Sequence, residues 1–248
     1  GPILSESSIR EATLLFVRSG LLTPPVPDDT LTRSPRREGK LYAGHDVVYT
    51  VPDEARSRLD LAKNAIIHFF VDRSIVSIAM LGLRSSRVDR GPLVDRAIYL
   101  TKLFAHEFTF RGSRSPEDAV ATTIDDMIAA GELEATPSGI AFGSGPPGDG
   151  FDGARACAAH ARHLDNFIEA YRVGARTLRV LVHGPLGEKE LLTRALAVGR
   201  QMFLGGEIDR REAVSRPTID NAFHAFVELG YVEGSLEQIE LAPDHRRL

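Results

Sequence analysis

One pair of residues in the sequence has the spacing of an acid–base dyad, because His160 and Asp165 form the pattern H-x4-D. In such a dyad the imidazole removes a proton from an acceptor hydroxyl while the carboxylate orients the ring. Residues 154–182, which include the pair, have apolar residues at helical spacing and predict one continuous helix. Side chains five positions apart on a helix lie about 140° apart around its axis, so these two would face different directions. We therefore predict that the match is accidental and that the chain carries no catalytic residue of its own.

Other common catalytic and cofactor-binding patterns are missing from the sequence. It has no GxxxxGK(S/T) phosphate loop, no HExxH and no GxSxG. The single cysteine, Cys157, excludes a thiolate metal cluster, and its Ala-rich surroundings are typical of a small buried residue. His160 and His163 could share one helix face and bind a metal ion, but no third ligand accompanies them. We predict neither a metal site nor a cofactor.

Four polar residues in or beside the most apolar part of the chain are candidates for contacts with another domain. This part, residues 65–83, is interrupted by His68, Asp72 and Arg73, so it predicts a buried or interface helix and not a membrane span. Asn64 and His68 are four positions apart and would share one helix face. They would be either a buried hydrogen-bonded pair or an anchor for a neighbouring domain. Asp72 and Arg73 predict a buried or edge ion pair and not a catalytic pair.

A basic loop is the candidate for contact with a membrane surface. It is rich in proline and carries Arg33, Arg36, Arg37 and Lys40. One interpretation is a solvated loop, and the other is attraction to an anionic membrane, worth about 1 kcal/mol per basic residue. The net charge of the 248-residue chain is −4, which does not favour a polyanion as the main partner.

The composition is that of a folded protein, with 43% hydrophobic and 26% charged residues. A single cysteine precludes an internal disulfide, which suits a reducing intracellular compartment. Gly1 and Pro2 resemble the residues left after a purification tag is cleaved, so we expect the chain to be a segment of a longer protein.

Helices are the elements that would position these residues. Ser or Pro at the starts and Gly at the ends predict helices over residues 5–20, 52–83, 91–106, 115–131, 154–182, 188–204 and 215–230. Short strands are predicted at 47–51, 133–135 and 140–142, with a hairpin at 231–241. The predicted fold class is mainly α, with two or three small β-hairpins. The stretch GSGPPGDGFDG predicts a linker that divides the chain into helical subdomains of residues 3–147 and 148–248.

A weak internal repeat relates residues 8–22 to residues 218–232, and residues 119–133 fit the same frame more loosely. In each copy a helix ends at a glycine, and in two of the three a hairpin follows, as at the end of a winged-helix module. A DNA-reading helix needs Lys or Arg for phosphate contacts, but residues 117–130 and 218–229 carry acids and neither Lys nor Arg. Only the 8–18 copy has arginines, Arg10 and Arg18. We therefore predict winged-helix-like modules that contact protein and do not bind nucleic acid. A winged-helix regulator that binds nucleic acid is the alternative function.

Several stretches, in order along the chain, resemble the C-terminal region of the bacterial and mitochondrial-type glycerol-3-phosphate acyltransferases. KNAIIHFFV at residues 63–71 is similar to the family's Arg-Asn-x-x-x-His-x-Phe element, with Lys63 in place of the arginine. FAHEFTFR at residues 104–111 is similar to a Leu-Phe-x-x-Glu-Phe-x-Phe-Arg run. Further likeness lies in EAYRV at 169–173, in GEKE at 187–190 and between Gly206 and Asn221. The order and spacing hold over about residues 5–242.

The resemblance implies a peripheral membrane enzyme that acylates position 1 of sn-glycerol 3-phosphate. The donor would be acyl-ACP or acyl-CoA, and the product lysophosphatidate. In that family the catalytic H-x4-D module precedes this region, so the resemblance transfers no catalytic residue to this chain. It implies a non-catalytic region that packs on the upstream acyltransferase domain at the cytoplasmic face of the inner membrane. A stand-alone scaffold protein related to this region is a further alternative.

Overall fold

The computed structural model describes residues 6–23, 49–52, 54–55, 58–59, 67–108, 115–144, 152–235 and 238–243. The chain divides into two compact units, residues 1–66 and residues 67–248. In the smaller unit, helix α1 (Glu6–Arg18) is followed by an isolated antiparallel bridge between Thr23 and Thr50. Within the described residues, this bridge at Thr50 is the only β pairing in the predicted strand 47–51.

The larger unit consists mainly of helices, and most of them begin where the sequence predicts. They are α2 (Val71–Gly82), α3 (Arg90–Leu103), α4 (Pro116–Ala129), α5 (Gly153–Ala161), α6 (Asp165–Thr177), α7 (Glu188–Leu204) and α8 (Arg216–Glu228). The Ser115 side chain caps α4 by accepting a hydrogen bond from the Asp118 backbone N–H at 3.1 Å. Asp152 caps α5 in the same way, through the backbone N–H groups of Ala154 and Arg155.

Two small antiparallel sheets complete the larger unit. Strands β1 (Arg87–Val88), β2 (Leu133–Thr136) and β3 (Gly139–Phe142) form a sheet in the order β1-β3-β2. Strands β4 (Val232–Ser235) and β5 (Gln238–Leu241) form a hairpin, with Val232 opposite Leu241. The mainly α fold with small hairpins is confirmed, whereas the two-residue strand β1 was not predicted.

Two of the long predicted helices are interrupted, so their prediction as continuous rods is wrong. A 3-10 helix, Ile67–Phe69, precedes α2 within the predicted helix 52–83. The predicted helix 154–182 consists of α5, a 3-10 helix at Arg162–Leu164, α6 and a second 3-10 helix at Leu178–His183. The break after α5 lets α5 pack on α2 while α6 packs on α7 and α8. Leu164, which is fully buried, lies where the chain bends between α5 and α6.

Four helices share the same C-terminal geometry. One is α7, where Gly206 has a φ angle of 69° and the Glu207 N–H bonds to the Met202 carbonyl at 2.8 Å, and the other three are the copies of the predicted repeat. Gly20, Gly131 and Gly230 follow α1, α4 and α8 with φ angles of 71°, 74° and 75°. In each case the next residue's N–H bonds to a carbonyl five positions earlier, at 2.9 Å: Leu21 to Phe16, Glu132 to Met127 and Tyr231 to Phe226. Hairpins follow α4 and α8, as predicted.

The core of the larger unit takes side chains from α2 to α8. Its centre is aromatic: the ring of Phe104 lies 5.0 Å from that of Tyr171, which lies 6.0 Å from that of Phe226. Residues 145–151, in the middle of the predicted linker, lie outside the described residues. The division into residues 3–147 and 148–248 therefore stays a prediction.

Candidate functional site

An ionic cluster joins three separate elements of the larger unit. The Arg73 guanidinium on α2 donates to Glu132 Oε1 at 2.6 Å, and His160 Nε2 on α5 lies 3.2 Å from the same oxygen. Glu132 itself lies between α4 and β2. Only 11% of its side chain is exposed, against 34% for Arg73 and 19% for His160. We call these three residues the Arg73–Glu132–His160 cluster.

Close backbone contacts hold Glu132 in place. Its carbonyl accepts the Gly143 N–H at 3.0 Å, and the Gly143 carbonyl accepts the Gly153 N–H at 2.8 Å. A Cβ at Gly143 would lie 1.9 Å from the Gly131 carbonyl oxygen, and one at Gly153 would lie 2.3 Å from that of Glu132. Only glycine permits this approach, which fixes the start of α5 against the base of the β2–β3 hairpin.

The electrostatics of the cluster favour a charged Glu132. Burial alone would raise the pKa of its carboxyl, but the hydrogen bond from His160 and the charge of Arg73 outweigh burial and lower it. Glu132 Oε2 and His160 Nδ1 are buried without a hydrogen-bond partner in the described part of the chain. The cluster therefore acts as an ionic clamp between α2, the hairpin and α5.

The H-x4-D pair is held apart by different partners. His160 faces Glu132, whereas Asp165 Oδ2 accepts a hydrogen bond from the Arg210 guanidinium at 2.9 Å. Both residues are described, and no hydrogen bond joins them. The predicted reason was a single straight helix, and this reason is wrong because the 3-10 turn at 162–164 intervenes. That the chain has no catalytic residue stays a prediction.

The candidates for interdomain contact have different surroundings. Asn64 lies outside the described residues. His68 is exposed on the 3-10 helix, with its ring centroid 4.1 Å from that of Phe69. Asp72 is exposed at the start of α2, and Arg73 pairs with Glu132. Most apolar residues of α2 belong to the chain's own core. Among the described residues of the apolar stretch, the turn 68–70 is the most solvent-facing part, and its Phe69 is 64% exposed.

The candidates for membrane contact are not described by the structure. Arg33, Arg36, Arg37 and Lys40 fall within residues 24–48, which lie outside the described ranges. Within those ranges every helix is too short or too polar to cross a bilayer. Contact of the basic loop with a membrane surface therefore stays a prediction.

A second polar network fastens the segment after α7 to α6. The Glu169 carboxylate accepts the backbone N–H groups of Asp209 and Arg210 at 3.2 and 2.8 Å. The Arg172 guanidinium donates to the Glu207 carbonyl at 2.7 Å. The sequence alone assigned no role to these residues, because their partners lie 35 to 41 positions further along the chain.

A comparison with known protein families assigns the chain. Residues 28–235 match the family model described as the glycerol-3-phosphate acyltransferase C-terminal region. The chain belongs to this family. The resemblance seen in the sequence is thereby confirmed, and the match includes both polar networks described above.

In this acyltransferase C-terminal region, three of the stretches that carried the resemblance meet around the side chain of Glu107. Glu107 follows α3, Tyr171 lies on α6 and Asn221 lies on α8. Burial raises the pKa of Glu107 to about 7, although Asn221 and Tyr171 nearby favour its charged form. Glu107 Oε1 and the Tyr171 hydroxyl are both buried without a hydrogen-bond partner in the described residues. Sequence reasoning did not single out Glu107 as a titrating group.

A group of possible metal ligands lies elsewhere in the acyltransferase C-terminal region. Glu188 at the start of α7 lies near Asp220 and His224 of α8, with one ligand atom of each within 4.8 Å of the others. The histidine pair considered in the sequence, His160 and His163, does not belong to this group: their rings lie 6.1 Å apart and His160 is bound to Glu132. The spacing Asp-x3-His within α8 was visible in the sequence, but Glu188 was not associated with it.

Proposed function

We propose that this chain is a non-catalytic part of a glycerol-3-phosphate 1-O-acyltransferase and supports an upstream catalytic domain. That domain would transfer an acyl group from acyl-ACP or acyl-CoA to glycerol 3-phosphate and release lysophosphatidate. The family match over residues 28–235 is the observation that carries the proposal. The separate partners of His160 and Asp165 support it, because a base and its orienting carboxylate have to be in contact.

The turn 68–70 is the surface that we propose for contact with the catalytic domain. It lies in the KNAIIHFFV stretch of the family resemblance and exposes Phe69 and, to a lesser extent, Phe70. Burial of one large apolar side chain contributes about 1.5–3 kcal/mol, which is enough to matter at an interface. Independently of this surface, we propose that the basic loop with Arg33, Arg36, Arg37 and Lys40 contacts the anionic lipids on the cytoplasmic side of the inner membrane.

An acyl-transfer assay tests the absence of catalysis. The isolated chain is incubated with labelled acyl-CoA or acyl-ACP and glycerol 3-phosphate, with the full parent enzyme as positive control. We expect lysophosphatidate from the parent and none from the chain. Turnover by the isolated chain that His160→Ala abolishes would contradict the proposal and identify the local H-x4-D pair as catalytic.

A binding assay tests the contact surface. Upstream acyltransferase domain, expressed separately, is titrated with the chain, with Phe69→Ser or with Leu204→Ser. Leu204 is the control because it is also an exposed apolar residue, 84% exposed at the end of α7. We expect Phe69→Ser to weaken binding about tenfold, and Leu204→Ser to leave it unchanged. Equal affinities for all three proteins would remove the turn 68–70 from the interface.

A further inference from the structure

We propose that Glu188, Asp220 and His224 form a binding site for a divalent cation of the Zn²⁺ or Mn²⁺ type between α7 and α8. One ligand atom from each residue lies within 4.8 Å of the other two. Asp220 and His224 are four positions apart on α8, so their side chains project from the same face. Ligands on one ion at about 2.0–2.2 Å lie no more than roughly 4.4 Å apart, so a small inward movement completes the site.

The charges of the group favour a cation at its centre. Two carboxylates approach each other here, and in the described part of the chain neither has a hydrogen bond or an ion pair. Asp220 Oδ1 is fully buried and has no hydrogen-bond partner. Like charges at this distance repel each other, and a divalent ion between them converts the repulsion into attraction. A cation at this place would give the Asp220 carboxylate a partner that the described residues do not supply.

The neighbouring histidine, His106, is paired with another residue, so the proposed site has three ligands from the described residues. His106 lies beside His224, with ring centroids 5.6 Å apart. Its Nε2 atom lies 3.1 Å from the Glu228 carboxylate. His106 therefore serves as a matched control, because it has the same chemistry and location but is bound elsewhere.

The donor atoms indicate which cations fit. One imidazole nitrogen and two carboxylate oxygens suit Zn²⁺, Mn²⁺ or Co²⁺, whereas Mg²⁺ and Ca²⁺ prefer oxygen ligands throughout. Three protein ligands leave at least one coordination position for water. The bound ion would join the first turn of α7 to the middle of α8.

Calorimetric titration with Zn²⁺ and with Mn²⁺ tests the site. The whole chain, freed of metal by a chelator, is compared with Asp220→Asn, His224→Gln and His106→Gln, and circular dichroism verifies that each variant is folded. We expect wild type and His106→Gln to bind one ion per chain. Asp220→Asn and His224→Gln should bind at least about tenfold more weakly, since even the loss of an outer-sphere partner weakens metal affinity 10- to 100-fold. The electronic absorption of bound Co²⁺ provides a second readout and should disappear in the same two variants.

Two results would overturn the proposal. Absence of binding by the wild type at millimolar Zn²⁺ and Mn²⁺ would show that the three residues hold no cation of this type. Undiminished binding by folded Asp220→Asn and His224→Gln would place the ion on other residues.

Discussion

Replacement of Glu107 by glutamine should stabilise the protein at alkaline pH and change its stability little at acid pH. Burial raises the pKa of Glu107 from its ordinary value of 4.5 to about 7, against a smaller opposing effect of Asn221 and Tyr171. A carboxyl with a higher pKa in the folded than in the unfolded state binds its proton more tightly when folded. Its contribution to stability is therefore fully present below pH 4.5 and is lost as the pH rises through about 7.

The magnitude follows from the two pKa values. The difference between 4.5 and about 7 corresponds to roughly 3 kcal/mol at about 1.4 kcal/mol per pH unit. Because Glu107 is only half-buried, solvent screening reduces the effect, and we expect about 1–2 kcal/mol. Glutamine has nearly the same shape and no charge. Glu107→Gln should thus be more stable than wild type by this amount at about pH 8 and by less than about 0.5 kcal/mol near pH 4.5.

Urea denaturation followed by far-ultraviolet circular dichroism at the two pH values measures the effect. Glu134→Gln is the matched control, since Glu134 is exposed on β2 and its replacement should shift the midpoint little at either pH. A Glu107→Gln variant that is less stable than wild type at pH 8 would refute the reasoning. In that case the neighbouring groups would stabilise the charged carboxylate by more than burial destabilises it.

Three further changes test the ionic cluster, the close backbone contact and the core. Glu132→Gln should cost about 1–3 kcal/mol at neutral pH, because two cationic or hydrogen-bonding partners lose a charged acceptor. Since the pKa of Glu132 is lowered in the folded state, this difference should shrink as the pH falls below 4.5, which urea midpoints at two pH values will show. Gly143→Ala should cost about 2 kcal/mol or more in a calorimetric scan, because its Cβ would meet the Gly131 carbonyl, whereas Gly91→Ala has nothing within 4 Å and should cost nothing. Phe104→Ala should cost about 3–5 kcal/mol in urea, because the residue is 1% exposed; a loss below about 1 kcal/mol would show that the cavity refills.

Helix ends could be predicted from the sequence because local residues determine them. Ser115 with Pro116 starts α4 and Gly131 follows its end, and all three are placed as the sequence indicates. The 3-10 turn at 162–164 could not be predicted in this way. It exists because α5 and α6 pack on different neighbours, which depends on contacts distant in the sequence.

The contacts within the candidate sites are even harder to predict from the sequence, because they join residues that are far apart along the chain. Arg73 and Glu132 are 59 positions apart, and His160 lies 28 positions beyond Glu132. The sequence suggests two candidate pairs, Arg73 with Asp72 and His160 with Asp165, because the members of each are close along the chain. In the folded chain, Arg73 and His160 both contact Glu132 instead. Nothing local marks Glu132, apart from the glycine before it that ends α4.

The packing of α2 on α5 has a consequence for the order in which the chain folds during synthesis. Ser77 of α2 lies beside Cys157 of α5, about 80 positions later in the chain. A nascent polypeptide that has been translated only as far as β3 therefore exposes one side of an apolar helix to water until α5 has left the ribosome. A ribosome-bound chain from which α2 has emerged and α5 has not is therefore open to capture by a chaperone, and release should coincide with the emergence of residue 161.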